Sequence, residues 1–184
     1  MGDAPSVAAR DDLAGVVNLF EWLTREELTE ALSELAFKRR AEVDDEAIAA
    51  AIDVAVAEYA LVPAPPAALS EAGEGGEKTT DLADPADRDD ADAVALAVGP
   101  AAFPSLPADA EDLPHILDVP DRDVDREILS EAVLERLSGD AVAAIESGDA
   151  ERLEVLADVT YDIEAWAPVD AGDVRERIVD ELDG

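Results

Sequence analysis

The sequence predicts a mainly α-helical protein with an N-terminal trihelical unit, winged-helix-like in its order and carrying a short β-hairpin, followed by C-terminal helices. Apolar residues recur every three to four positions through 24–62, which is the spacing of one helix face. The same spacing returns after residue 125. Between them, 63–93 is rich in Pro, Gly, Ala and acidic residues, and this composition favours disorder because it offers little apolar surface to bury.

Three helices are predicted in the N-terminal unit, at 10–22, 24–39 and 44–60. Thr24 followed three residues later by Glu27 is the pattern of a capping box, which marks the start of the second helix. Asp44 is placed to cap the third helix in the same way. Amphipathic helices joined by short turns bury their apolar faces against one another, so a small bundle follows.

The chain is predicted to have three regions. Residues 1–62 form the trihelical unit, and 63–93 form a disordered acidic insertion. Residues 94–184 contain a strand, a proline-rich strap and C-terminal helices that share the same core. The apolar run before Gly99 reads as a short strand suited to pair with 59–62. If the two pair, the order of helices and strands is that of a winged helix; whether they pair is left open by the sequence.

Five prolines between residues 99 and 121 prevent a long helix there, because proline lacks the amide donor and restricts the residue before it. This stretch is predicted to lie as an irregular strap over a core. Helices then follow behind Asp125, Asp149 and Asp170, each an acidic residue suited to cap a helix.

The charge of the chain is extreme: 47 acidic residues against 13 basic residues give a formal net charge of −34. Self-repulsion of this size destabilises a compact state in dilute buffer. In molar salt the Debye length falls to about 3 Å, and exposed charges no longer repel at range. The composition therefore predicts a protein that works in concentrated salt, while 48% hydrophobic residues argue against an acidic disordered chain.

Composition and three segments together carry a family resemblance. The segments are LTREELTEALSELAFKR, GPAAFPSLP and TYDIEAWAPVD. With the scarcity of lysine, they resemble a haloarchaeal family of uncharacterised acidic proteins. The resemblance implies a saline environment, and it implies no activity and no site residue.

No residue pattern points to catalysis, a cofactor or a metal. The chain has no cysteine, and with His115 as its single histidine it cannot supply a zinc site of three or four His and Cys ligands. The acidic run 121–127 resembles a calcium loop, but Arg126 and Ala132 stand where glycine and an acid are required. No phosphate-binding or dinucleotide-binding glycine motif occurs. We therefore expect no enzyme, no cofactor and no metal site.

The N-terminus lacks the features of a signal peptide, and no apolar run approaches the length of about 18 residues that a membrane span requires. A soluble cytoplasmic protein without membrane contact is the expectation.

The leading functional hypothesis is a non-enzymatic protein–protein interaction module with an unidentified protein partner. The residues selected as partner contacts are Lys38, Arg39, Arg40, Tyr161 and Trp166. The alternative explanations are cations that complement the negative end of a helix, and aromatic residues that fill the core. The runner-up function is a winged-helix-like, DNA-associated transcriptional regulator. It is disfavoured because the predicted third helix contains several acids and no Lys or Arg, the opposite of what phosphate contact requires.

Overall fold

The computed structural model describes residues 7–40, 44–72, 82–83 and 91–184, and seven α-helices and five strands lie within these ranges. In chain order the elements are α1 (Val7–Asn18), β1 (Trp22–Thr24), α2 (Arg25–Lys38), α3 (Asp45–Ala57), β2 (Leu61–Pro63), β3 (Leu69–Ala72), β4 (Ala95–Val98), α4 (Leu113–Ile116), β5 (Asp121–Val124), α5 (Arg126–Ser147), α6 (Ala150–Trp166) and α7 (Gly172–Asp183). The predicted mainly α-helical class is confirmed.

The start of α2 is a capping box, as the sequence predicted. The backbone N–H of Glu27 donates to the Thr24 hydroxyl at 3.2 Å, and the Glu27 carboxylate accepts from the Thr24 backbone N–H at 2.8 Å. Asp44 caps α3 by accepting from the backbone N–H of Glu46. These contacts satisfy backbone donors that the first turn of a helix leaves without intrahelical partners.

A three-stranded antiparallel sheet lies beside these helices, in the order β1-β4-β2. Leu61 pairs with Val98 and Val62 with Ala97, so the two segments that the sequence suggested as partners do form a β-ladder. On its other edge β4 pairs with β1, where Leu23 lies opposite Leu96.

Strand β1 was not predicted, and the helix expected at 10–22 ends at Asn18 instead. Glu21 adopts a positive φ of 66°, which turns the chain out of helical geometry. The three following residues are all buried, and they satisfy their backbone groups through β4. Pairing across a long sequence separation therefore overrides the local helical pattern at this point.

A second, two-stranded antiparallel sheet joins β3 to β5, with Leu69 opposite Val124 and Ala72 opposite Asp121. The structure forms two compact units, Met1–Val124 and Asp125–Gly184, whereas the sequence placed divisions at 62/63 and 93/94. Residues 73–81 and 84–90 of the predicted disordered insertion lie outside the described residues.

The core of the first unit is aliphatic, with small alanines between larger side chains. Its buried members are Leu13, Ala14, Val16, Val17, Phe20, Leu23, Leu28, Ala31, Leu35, Ile48, Ile52, Ala55, Ala60, Leu61, Leu96, Ala110, Leu113 and Leu117. The predicted strap contributes Leu113 and Leu117 to this core. It also crosses α1 closely, because a Cβ atom placed on Gly15 would lie 2.0 Å from the carbonyl oxygen of Ser105.

The second unit consists of α5, α6 and α7, and its core is again formed by apolar residues at helical spacing. The buried apolar residues are Leu129, Val133, Leu137, Ala141, Ala144, Leu153, Leu156, Val159, Ile163, Ala171, Val174 and Ile178. Helix α5 ends at Gly148, which caps it in the left-handed conformation with a φ of 67°.

Candidate functional site

The predicted basic cluster lies at the C-terminal end of α2, and its side chains are exposed. The ammonium of Lys38 lies 3.3 Å from the carboxylate of Asp112. Arg39 donates a hydrogen bond of 2.7 Å to the backbone carbonyl of Ala108. Arg40 has a positive φ of 54°, which ends the helical path and turns the chain away. The end of α2 is thus attached to the strap, and two guanidinium groups stand at that junction.

Phe37, immediately before this cluster, exposes 80% of its surface. We name Phe37, Lys38, Arg39 and Arg40 the α2-end patch. Phe37 was not among the contact residues predicted from the sequence. Its exposure becomes visible only when the helix is placed against its neighbours.

The whole chain contains three phenylalanines. Phe20 is buried, whereas Phe37 and Phe103 expose 80% and 78% of their surfaces. Phe103 is held in the strap, since its backbone N–H donates to the carboxylate of Asp11 at 3.1 Å. Scattered exposed apolar residues are normal on protein surfaces. Here, however, two of the three phenylalanines face solvent in a chain in which aromatic residues make up only 4% of the sequence.

The two arginines of the patch lack the carboxylate contact that most other arginines of the described chain have. Several arginines contact a carboxylate, as Arg10 contacts Glu58 and Arg25 contacts Asp53. Among the residues that the structure describes, no carboxylate oxygen lies within 4.0 Å of the guanidinium nitrogens of Arg39 or Arg40. Within the described residues, the charges of Arg39 and Arg40 therefore have no carboxylate at contact distance, whereas Lys38 pairs with Asp112.

The two predicted aromatic contacts lie in the second unit, on α6. Tyr161 exposes 59% of its surface, and the guanidinium carbon of Arg175 lies 4.0 Å from its ring centroid. Trp166, at the end of α6, is half-buried. The predicted contact residues thus fall in different units, and one face of the Tyr161 ring is already covered by a cation.

Arg175 is held in that position by three hydrogen bonds. It donates to the Thr160 hydroxyl at 2.9 Å, to the Thr160 carbonyl at 3.0 Å and to the Glu164 carboxylate at 2.5 Å. The hydrogen bond from Arg175, together with one from the backbone of Ala171, lowers the pKa of Glu164. This cluster links α6 to α7, and a packing role accounts for its contacts.

A buried ion cluster in the first unit was missed by the sequence analysis. The side chain of Arg122 is fully buried and donates to both carboxylate oxygens of Glu27, at 2.8 and 2.7 Å. It also donates to Glu71 at 3.2 and 3.0 Å and to the carbonyl of Trp22 at 3.1 Å. Its guanidinium carbon lies 3.7 Å from the centroid of the Trp22 ring. One side chain therefore links β5, β3, β1 and the start of α2.

Burial alone would raise the pKa of Glu27, but hydrogen bonds from Arg122 and from the Thr24 backbone outweigh it and lower that pKa. The Trp22 Nε1–H is buried without a hydrogen-bond partner among the described residues. The one sequence signal for the cluster is the alternation Asp-Arg-Asp-Val in β5, in which Arg122 occupies the buried face beside Val124. Both carboxylates pair with Arg122, and the cluster joins three strands to the start of α2.

Within the described residues, no group of three or more His, Asp or Glu side chains is placed to hold a metal ion. His115 is exposed on the short helix α4. No helix in the described part of the chain has the length and apolar character that crossing a bilayer requires.

Comparison with known proteins adds a family to this geometry. No curated protein and no solved structure matches the chain. One family model matches residues 11–183, which is almost its full length. The chain therefore belongs to the family of unknown function DUF7109.

Proposed function

We propose that this protein is a non-enzymatic protein-interaction module, whose partner contacts the first unit through its exposed phenylalanines. The observation that carries the proposal is the exposure of Phe37 and Phe103, at 80% and 78%. Burying one such side chain in an interface removes apolar surface that is worth about 1.5–3 kcal/mol. A partner that covers both would gain enough to offset part of the cost of association.

The neighbouring arginines support the same proposal. Aromatic residues and arginine are enriched among the residues that dominate binding energy, whereas lysine is depleted at interfaces. The α2-end patch combines Phe37 with Arg39 and Arg40, and the hydrogen bond from Arg39 to Ala108 restrains one of them before binding. Tyr161 is a weaker candidate, because Arg175 already covers one face of its ring.

A DNA-associated regulator is the second candidate, and one observation favours it. The order of helices and strands from α1 to β4, with the sheet order β1-β4-β2, is consistent with a winged helix. Helix α3 would then be the reading helix, yet Asp45–Ala57 contains acidic residues and no Lys or Arg. Phosphate contact requires positive charge, so this candidate ranks below the interaction module.

The proposed setting is a cytoplasm with molar salt, as in halophilic archaea. The support is the net charge of −34 and the count of two lysines. In that solvent long-range repulsion is screened, and burial of apolar side chains provides most of the binding energy.

The test is affinity capture of the tagged full chain from a high-salt lysate of its own cells, compared with a variant that carries Phe37→Ser and Phe103→Ser. Both positions are exposed, so folding is expected to be unaffected. The matched control is Val142→Ser, an exposed apolar residue on α5. We expect a stoichiometric protein, resistant to nuclease, that is retained by wild type and control and lost from the double variant.

Two results would overturn the proposal. One is the same set of proteins captured by the wild type and the double variant. The other is recovery only of nuclease-sensitive material, which would favour the DNA-associated candidate. Circular dichroism of all three proteins in the same buffer establishes that any loss of capture arises from the surface rather than from unfolding.

A further inference from the structure

We infer that the α2-end patch recognises an acidic segment of a partner protein, one in which Asp or Glu residues flank an apolar side chain. This inference rests on the proposed function and specifies the chemistry of the partner. Its starting observation is the contrast between two arginines that lack carboxylate contacts and a chain that carries 47 acidic residues.

Most other arginines of the described chain contact a carboxylate, although Arg126 and Arg177 in the second unit do not. Ion pairs join Arg10 to Glu58, Arg25 to Asp53, Arg122 to Glu27, Arg152 to Asp140 and Arg175 to Glu164. Arg39 instead donates to the Ala108 carbonyl, and a carbonyl carries no net charge to compensate the guanidinium. The positive charge of Arg39 and Arg40 is thus available to an incoming carboxylate, as far as the described residues are concerned.

The geometry of Arg39 favours a carboxylate as ligand. A guanidinium has five N–H donors in a planar fork, and one NH2 group of Arg39 is anchored on Ala108. The anchor restrains the side chain before the ligand arrives, so less conformational entropy is lost on binding. The remaining donors match the two oxygens of a carboxylate.

Phe37 distinguishes a protein segment from a nucleic acid as the occupant. It precedes the arginines in the sequence at the end of α2 with 80% of its surface exposed, and an apolar side chain of the partner can cover it. Affinity for a nucleic acid depends on several phosphate contacts with the release of counterions, and this binding falls steeply in salt. Two arginines on an acidic chain supply few such contacts. A mixed acidic and apolar segment uses both features of the patch.

The probe for the test is a fluorescein-labelled synthetic peptide of about 16 residues made of Asp, Glu and Leu, whose binding is followed by anisotropy in molar KCl. A matched peptide carries Asn and Gln in place of the acids, and a labelled DNA duplex is the third probe. We expect the acidic peptide to bind. Replacing its acids, or introducing Arg39→Gln with Arg40→Gln, is expected to weaken binding about fivefold.

The control variant carries Arg126→Gln and Arg177→Gln, two exposed arginines outside the first unit. It should bind the acidic peptide within about twofold of wild type, since exposed charges away from the site contribute little. No binding of the acidic peptide, equal affinity for the two peptides, no effect of the Arg39 and Arg40 substitutions, or tighter binding of the DNA duplex would each overturn the inference.

The arginine variant is also used in the capture experiment described above, which separates the two proposals. Suppose that the phenylalanine variant loses the partner and the Arg39→Gln, Arg40→Gln variant retains it. The proposed interaction module would then stand, and the acidic-segment inference would be overturned. A partner retained by both variants would overturn the proposed function itself. A partner lost with both supports the two together.

Discussion

Arg122 places a full positive charge in the interior of the first unit, where an unpaired ion would cost several kcal/mol. Glu27 and Glu71 compensate that charge, and the Trp22 ring and its carbonyl complete the contacts of the guanidinium. The planar fork of arginine is what allows it to contact two carboxylates and an aromatic face at once. A lysine in this position would supply one point charge and lose the stacking.

Replacing Arg122 with Met should destabilise the first unit by about 2–4 kcal/mol, because it leaves two carboxylates without their partner. This loss of stability lies toward the lower end of the range measured for broken buried ion pairs, because Glu27 and Glu71 retain some solvent contact. Urea unfolding in molar KCl measures this change in the free energy of unfolding. Arg126→Met removes an exposed arginine and should stay within about 0.5 kcal/mol of wild type. A loss below about 1 kcal/mol in the Arg122 variant would contradict a stabilising role for the cluster.

The lowered pKa of Glu27 makes this contribution dependent on pH. A carboxyl whose pKa is lower in the folded state stabilises the fold above its unfolded value, about 4.3 for Glu, and loses that contribution as the pH falls through the folded value. Wild type should therefore exceed Glu27→Gln in stability at about pH 7, and the difference should shrink below about pH 4. Urea unfolding at both pH values, in equal salt, tests this. A difference that does not change with pH would show that Glu27 acts through its shape alone.

At the scale of elements, the packing of the strap on α1 depends on a glycine. A Cβ on Gly15 would lie 2.0 Å from the Ser105 carbonyl oxygen and 3.1 Å from the backbone nitrogen of Leu106. The backbone N–H of Ser105 also donates to the carbonyl of Asp11 at 2.9 Å. Helix α1 and the strap are thus joined through their backbones, and a side chain between them would force them apart.

Two glycine-to-alanine substitutions in helices should have opposite effects. Gly15→Ala should destabilise by about 1–3 kcal/mol, because overpacking outweighs the better helix propensity of alanine. Gly139→Ala, at an exposed position of α5 where a Cβ meets no atom within 4 Å, should stabilise by about 0.5–1 kcal/mol. Thermal unfolding of both variants in one buffer is the measurement. Equal changes in the two melting temperatures would contradict the close approach at Gly15.

The helix starts were predictable because they depend on a few adjacent residues. Thr24, Asp44 and Asp125 all cap helices, as their side chains and spacing indicated. The unpredicted elements depend on partners far along the chain: β1 is stabilised by β4, and β3 by β5. A strand of three or four residues has too little alternation to outweigh a helical pattern.

The candidate site was predictable in part, for the same physical reason. The positive charge of residues 38–40 comes from three adjacent residues, so it was evident from the sequence. Tyr161 was predicted as a partner contact, whereas Phe37 was not, because the exposure of both depends on which helix faces remain uncovered. The pairing of Arg122 with Glu27 joins residues far apart in the chain and had only the alternation in β5 as its signal.

At the scale of the whole molecule, the formal charge of −34 opposes every compact arrangement of the chain. One local effect of like charges is found on α6, where burial and the negative charge of the neighbouring Asp158 raise the pKa of Asp162. Salt relieves such repulsion by screening it within about 3 Å at molar concentration.

Helix content and the urea midpoint should both fall when KCl is reduced from about 2 M to about 20 mM, because the Debye length grows past 20 Å over that range. Circular dichroism at 222 nm and urea titration measure the two quantities. The control is sucrose at low salt, which strengthens burial without screening charge. Unchanged circular dichroism across the salt range would contradict charge screening as the cause.

The central position of β4 also has a consequence for the order of events during synthesis. Both β1 and β2 pair with β4, and the sheet order leaves them unpaired with each other. A ribosome that has released residues 1–63 has produced three helices and two outer strands, while the strand between them has yet to emerge. The three-stranded sheet therefore cannot be completed until Ala95–Val98 has been synthesised and can insert between β1 and β2.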